Sequence, residues 1–355
     1  MKKKITVLII EDSAFMRREL RKIIDADPGL AVVGTARDGL EGLDMAKALE
    51  PDVVTIDLNL PEMDGLTCLQ YIMIETPRPC VVISAYTGKD SVETFEALEL
   101  GAVDFVQKPS GEISRDIHQK AASITARLKT AVHVNMSTMT RQAAGAKIAK
   151  KKERPESKKT PDKAVIIGVS TGGPRTLMRI IPALSERLIA PVVIVQHMPG
   201  KFTRSFAERL NDYSLLDVKE ARNFDRLENG RVYVAPGDRN LVLVNDGGRP
   251  TVSIAIPENG DLYIPSVEKA LDSAINVFEK RTIGVILTGM GNDGLNAMKR
   301  LHALDGITIA ESEETAVIYG MPKEVIGHRA ARHVAPAHEI AEIIEKAVAR
   351  LGTDD

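Results

Sequence analysis

Ala164-Val165-Ile166-Ile167-Gly168-Val169-Ser170-Thr171-Gly172-Gly173-Pro174 is an apolar run that ends in a G-x-S-x-G step and passes at once into a helical pattern. The run reads as a strand buried on both faces, as in a parallel sheet covered by helices. The glycines permit a sharp turn from strand to helix and leave the Ser170 hydroxyl at the strand's carboxyl end, which is what a nucleophile elbow requires. A tight turn whose serine caps the following helix would produce the same pentapeptide.

Working outward, residues 192–196, 283–288 and 307–310 repeat the short apolar pattern between helical stretches, so they join residues 164–169 as parallel strands. The runs 231–234, 241–244 and 251–256 are separated by Pro236-Gly237 and Asp246-Gly247-Gly248, and read as antiparallel hairpin structure inserted in a mostly parallel sheet. A serine nucleophile needs a base that exchanges protons near neutral pH. Of seven histidines (His118, His133, His197, His302, His328, His333 and His338), His197 stands out because it ends a strand, in Val195-Gln196-His197-Met198-Pro199. The same sheet geometry that exposes Ser170 exposes this imidazole beside it.

Thr288-Gly289-Met290-Gly291-Asn292-Asp293-Gly294 has a similar address after its strand. Glycine at this density lets backbone N–H groups face an oxyanion, while Asp293 orients the imidazole. Taken singly, His197 also fits a structural hydrogen-bonding role and Asp293 a helix N-cap. The order Ser, His, Asp differs from the Ser, acid, His order of ordinary α/β-hydrolases, and a lipase-like arrangement would instead recruit Asp238 or Asp272 with His333. Dinucleotide binding fits poorly, because the spacing is not G-x-G-x-x-G and the second strand ends in Gln196.

The amino-terminal part has five short strand runs, at residues 5–10, 31–35, 53–56, 81–83 and 103–106, with helices between and a last helix over about 113–132. This is a doubly wound five-stranded parallel α/β domain. Glu11 and Asp12 follow the first run and Asp57 the third, so three acids meet in one crevice. Like charges there call for a hard cation, and an all-oxygen site open to water suits Mg²⁺. Lys108 reaches the same crevice from the fifth strand and Ser84 from the fourth, giving the makings of a phosphoryl-accepting centre.

Between the two α/β parts, residues 135–163 lose the strand rhythm and carry Lys147, Lys150, Lys151, Lys152, Arg154, Lys158, Lys159 and Lys163 with Pro155 and Pro161. They read as a basic linker. The expected division is thus 1–134, a 135–163 linker and 164–352. It agrees with a length of 355 residues, at roughly 150 per domain. A hydrophobic fraction of 44%, a charged fraction of 27% and a net charge of -2 exclude a wholly basic nucleic-acid-binding surface. Cys68 and Cys80 sit in apolar patterns and read as buried free thiols. The run at residues 5–10 is too short for a signal peptide, and no stretch is apolar enough to enter a membrane, so a cytoplasmic location is expected.

Residues 1 to about 130 resemble a response-regulator receiver domain through Glu11-Asp12, Asp57, Asn59-Leu60-Pro61, Met63-Asp64-Gly65, Ser84, Phe105 and Lys108-Pro109. The resemblance implies that Asp57 accepts a phosphoryl group from a histidine kinase. It implies that Glu11, Asp12, Asp57 and the Asn59 carbonyl hold Mg²⁺, that Ser84 and Phe105 relay the change, and that a cis bond precedes Pro109.

Residues 164 to about 350 resemble the chemotaxis protein-glutamate methylesterases, the CheB family. The match lies in Gly168 to Pro174, Gln196-His197-Met198-Pro199, Ala235-Pro236-Gly237, Leu287 to Gly294 and Tyr319-Gly320-Met321-Pro322. This second resemblance implies hydrolysis of glutamate methyl esters, and deamidation of glutamines, on cytoplasmic helices of chemoreceptors. Ser170, His197 and Asp293 would be the catalytic residues, with the Met290 amide in the oxyanion hole, Thr171 lining the site and no cofactor in the esterase site. Glu311 departs from the glutamine expected before Tyr319 and bears on substrate contacts; the long basic linker bears on domain docking. A scaffold with vestigial catalytic groups and a regulator binding nucleic acid through its linker are the rival readings.

Overall fold

The computed structural model describes residues 3–84, 90–109, 114–134, 136 and 160–352. The chain divides into two compact units, Met1–Ala144 and Gly145–Asp355. The linker lysines between 147 and 159 lie outside the described residues, as does the expected start of the last receiver helix at Ile113.

The first unit is a five-stranded parallel sheet of β1 (Ile5–Ile10), β2 (Leu30–Ala36), β3 (Val53–Ile56), β4 (Cys80–Ser84) and β5 (Asp104–Gln107), ordered β2-β1-β3-β4-β5. Every residue of β3, β4 and β5 is buried, as the unbroken apolar runs require when helices cover both faces. The strand order reverses between β1 and β3, so the crevice outside their carboxyl ends is the ligand position such a sheet offers. Cys68 and Cys80 are free and buried, and burial pushes the Cys68 thiol up to about 12.

The second unit is a seven-stranded sheet with β6 (Ala164–Val169), β7 (Val192–Gln196), β8 (Asp217–Glu220), β9 (Arg231–Val234), β12 (Thr282–Ile286), β13 (Ile307–Glu311) and β14 (His333–Ala335). Its order is β14-β13-β12-β6-β7-β9-β8, and its neighbours pair in parallel. The antiparallel hairpin is β10 (Asn240–Asp246) with β11 (Arg249–Ala255), turning at Gly247-Gly248. Its Leu241, Leu243 and Val252 pack into a core shared with Leu271 and Ile275 of the helix Val267–Phe278.

Residues 231–234 do not belong to the hairpin but form β9, parallel to both β7 and β8. Val232, Tyr233 and Val234 are buried on both faces, which a half-solvated hairpin strand cannot be. The reversal between β6 and β12 creates a crevice at their carboxyl ends, where Ser170 and the 288–293 loop begin.

Candidate active site

Ser170 leaves β6 with its backbone N–H donating to the Thr288 carbonyl at 2.9 Å, which joins it to the end of β12. Gly172, at φ +78°, turns the chain into the helix Gly173–Ile180 and is itself the N-cap, with no side-chain cap. Ser170 is therefore not the helix cap, and its half-buried hydroxyl makes no hydrogen bond among the described residues. It lies beside the positive end of that helix, which favours negative charge developing on a nearby oxygen. Gly289 faces it so closely that a Cβ there would stand 2.6 Å from Ser170 Cβ. Thr171 is half-buried, and its carbonyl accepts from the Thr288 hydroxyl at 2.9 Å.

On the other side of β6, the register Val169↔Gln196 places His197 level with Ser170, and the His197 N–H donates to the Val169 carbonyl at 3.1 Å. Gln196 Nε2 donates to the carbonyls of both Ser170, at 2.9 Å, and His197, at 3.1 Å, so one amide ties the two strand ends together. His197 Nε2 lies 2.8 Å from Asp293 Oδ2. Against a carboxylate that nitrogen carries the proton, which leaves Nδ1 as the ring's acceptor.

Asp293 is buried and is not the cap of its own following helix, whose N-cap is Gly294. It instead receives the start of the helix Val267–Phe278: the N–H groups of Val267 at 2.7 Å and Glu268 at 2.9 Å, with the Ser266 hydroxyl at 3.2 Å. Three donors besides the imidazole hold the carboxylate in one orientation. The Gly289 N–H is engaged by the Ile318 carbonyl, so it is not an oxyanion donor; Met290 follows it with a half-exposed side chain.

The lipase-like alternative finds no constellation. His333 is exposed on edge strand β14, three strands from β6, while Asp272 is ion-paired with Arg300 and Asp238 with Arg239.

Glu311, at the end of β13, is fully buried. Its Oε2 accepts the Thr288 N–H at 2.8 Å and its Oε1 the Thr315 hydroxyl at 2.9 Å, so it fixes the strand end beneath Ser170 from below. Burial pushes its carboxyl up to about 7, against the downward pull of those two hydrogen bonds. Between the ordinary value of 4.5 and about 7 the folded chain keeps a proton that the unfolded chain has released. The stability that neutral Glu311 contributes is thus complete below about 4.5, is lost as pH rises from there to about 7, and totals about 3 kcal/mol at about 1.4 per unit. Glu311→Gln keeps an acceptor for Thr288 and removes the titration. Its urea midpoint is expected to match the native chain's at pH 4 and exceed it at pH 8; a difference that stays constant with pH would refute the account.

In the first unit, carboxylate oxygens of Glu11, Asp12 and Asp57 all lie within 4.8 Å of one another. Lys108, buried at the end of β5, sits 2.6 Å from Asp57 Oδ2 and 2.9 Å from Glu11 Oε2. The second contact lacks hydrogen-bond alignment, so Glu11 Oε2 is a buried oxygen without a hydrogen-bond partner. Burial, then the charge of Asp57, pushes Glu11 up to about 8, and burial also raises Asp57. Burial lowers the Lys108 ammonium, but Asp57 and Glu11 outweigh it and the net shift is upward. Ser84 and Phe105 are buried on β4 and β5, and the Asn59 N–H points to Asp57 Oδ1 at 3.5 Å. The cis bond implied before Pro109 is not found: among the described residues the cis peptide is Ile264–Pro265. Lys108, its N–H on the Ser84 carbonyl at 2.8 Å, reaches both acids without one.

A receiver-type acidic crevice in one unit and a strand-end serine, histidine and aspartate in the other define a response regulator with a hydrolase output domain. Residues 7–121 match the response regulator receiver domain family, and residues 165–344 match the family described as CheB methylesterase. The chain belongs to the CheB methylesterase family. It is 48% identical over 97% of its length, and 99% of the relative's, to protein-glutamate methylesterase/protein-glutamine glutaminase 2 of Carboxydothermus hydrogenoformans. An enzyme of the same description from Pyrococcus abyssi is 40% identical over 98% of this chain and 94% of its own. The crystal structure of the Thermotoga maritima CheB methylesterase catalytic domain superposes with TM-score 0.51 at 43% identity, over 52% of this chain and 97% of that one.

Proposed function

We propose that the chain hydrolyses γ-glutamyl methyl esters on cytoplasmic helices of chemoreceptors, with Ser170, His197 and Asp293 as its triad, and that its receiver gates this activity. The observation that carries the reading is the 2.8 Å contact of His197 Nε2 with Asp293, made by an imidazole level with Ser170 across β6 and β7. His197 Nδ1 takes the Ser170 proton as Oγ attacks the ester carbonyl, the Met290 amide holds the oxyanion, and Thr171 lines the site. The protonated imidazole then returns its proton to the departing methoxide, and methanol leaves. Water, deprotonated by the same nitrogen, splits the acyl-enzyme to free glutamate and Ser170. A glutamine side chain gives the same acyl-enzyme with ammonia as leaving group, so deamidation needs no further group. None of these steps calls on a cofactor.

In the receiver, Asp57 accepts the phosphoryl group from a histidine kinase. Mg²⁺ would be held by Glu11, Asp12, Asp57 and the Asn59 carbonyl, and three carboxylates with oxygens within 4.8 Å of one another suit such a cation. When bound, it offsets the charge of the acids and of the incoming phosphoryl. Lys108, Ser84 and Phe105 then register the added charge of about -1.5 to -2. The domains are 1–134 and 164–352 with a 135–163 linker. The proposed location is the cytoplasm; among the described residues no helix is long and apolar enough to cross a membrane.

The test is methanol release from a methylated receptor segment, with and without a small phosphodonor. Stimulation is expected in the native chain and not in Asp57→Asn. Removing residues 1–160 is expected to raise the basal rate several-fold; an equal or lower rate would rule out simple occlusion by the receiver.

A further inference from the structure

We propose that Tyr263 is a positioning residue for His197: its ring lies flat on the imidazole and, braced by the backbone at Gly291, fixes the plane in which Nδ1 faces Ser170. The proposal rests on the triad reading above. The two ring centroids are 5.1 Å apart and the planes differ by 7°. That separation falls in the range of about 4.5–7 Å where aromatic pairs attract.

A plane needs fixing because the bond to Asp293 restrains only Nε2. The last torsion of a histidine side chain has broad wells, so rotamer preference alone does not choose the plane. Swinging about the Nε2 contact moves Nδ1, the atom that must meet the serine proton. A parallel ring removes that freedom without taking up either nitrogen. It also offers a π face when the serine O–H breaks, Nδ1–H forms and the imidazole becomes a cation; such a face attracts cations within about 6 Å.

Tyr263 is itself held. Gly291, at φ +92°, lies so near that a Cβ there would meet the tyrosine hydroxyl at 2.4 Å and Cζ at 3.2 Å. The loop that carries Met290 and Asp293 therefore abuts the far end of the ring. Three residues further along, Ser266 and the amides of Val267 and Glu268 hold the Asp293 carboxylate. One stretch of chain, 263–268, thus orients the base from its face and the acid from behind.

The experiment uses the full chain. Labelling by a fluorophosphonate is measured for the native chain and Ser170→Ala, and kcat and KM on a methylated receptor segment for Tyr263→Leu, Tyr263→Phe and Gly291→Ala. Tyr263→Leu is expected to lower kcat by roughly 10- to 100-fold, the scale of a misplaced reacting group, with KM within about two-fold and Ser170 labelling slowed in proportion. Tyr263→Phe is expected to recover most of that loss, and the cost of Gly291→Ala to shrink when combined with Tyr263→Phe. Native kcat and labelling in Tyr263→Leu, or an equal loss in Tyr263→Phe, would overturn the proposal while the triad stands. Labelling of Ser170→Ala at the native rate would overturn the triad, and this proposal with it.

Discussion

Ser170→Ala is expected to lower kcat for methyl ester hydrolysis by roughly 10⁵–10⁶-fold, the scale on which loss of the nucleophile acts in serine hydrolases that work as a triad. The substitution removes one oxygen and little else. The Ser170 hydroxyl has no hydrogen bond among the described residues to lose. The bonds that place residue 170 are all made by its backbone: N–H to Thr288, C=O from Gly173 N–H and from Gln196 Nε2. Alanine keeps the Cβ that packs against Gly289. The unfolding free energy should therefore stay within about 0.5 kcal/mol of the native chain's, as for a substitution that breaks no named interaction. Methanol release measured beside urea unfolding separates the two quantities. A variant that keeps more than a few per cent of native turnover would sink the assignment, and the nucleophile would have to be sought elsewhere on the rim.

Much of this site was legible because parallel sheets concentrate function at one edge. A residue that directly follows a buried apolar run stands at a carboxyl end, and Ser170, His197, Asp57 and Glu11 are all of that kind. Asp293 sits further out, but the glycines before it mark the loop. What escaped notice follows from the same physics. Edge strand β8 reads Asp-Val-Lys-Glu and buries only Val218 fully, and β14 is three residues long; neither has an apolar run to find. The run that became β9 was misassigned because the Pro236-Gly237 turn after it looks like a hairpin turn, although here it leads out of the sheet. Tyr263 stands alone in a loop with no periodicity, so only the fold brings it to His197. Gln196 was visible as a strand end, but its bridging amide is a matter of three dimensions. For Glu311 the unusual residue was visible and its consequence was not, since burial under the 288 loop depends on β13 lying next to β12.

Asp293→Asn should cost roughly 10⁴-fold in kcat, as removal of the orienting carboxylate does in a serine protease triad, and the reason lies in how its oxygens are shared. Oδ2 accepts from His197 Nε2 and from the Val267 N–H; Oδ1 accepts from the Glu268 N–H and the Ser266 hydroxyl. Asparagine replaces one acceptor oxygen by a donor NH₂, and each placement fails differently. With NH₂ in the Oδ2 position, His197 must offer a bare Nε2 and carry its proton on Nδ1, so it donates toward Ser170 instead of accepting and no base remains. The Val267 N–H also loses its acceptor. With NH₂ in the Oδ1 position, the tautomer survives but the Glu268 N–H is left facing a donor at the start of a helix. An unsatisfied buried N–H costs about 1–3 kcal/mol in either case. The variant should therefore lose stability as well as rate, unlike Ser170→Ala, and its kcat must be read well below its unfolding midpoint. Fluorophosphonate labelling then distinguishes the placements. Labelling slowed as much as turnover means the base is gone, whereas near-native labelling with lowered stability means the helix start has absorbed the error. Native rate and native stability together would show that Asp293 neither orients the imidazole nor anchors the helix Val267–Phe278, and the geometry of the site would need another explanation.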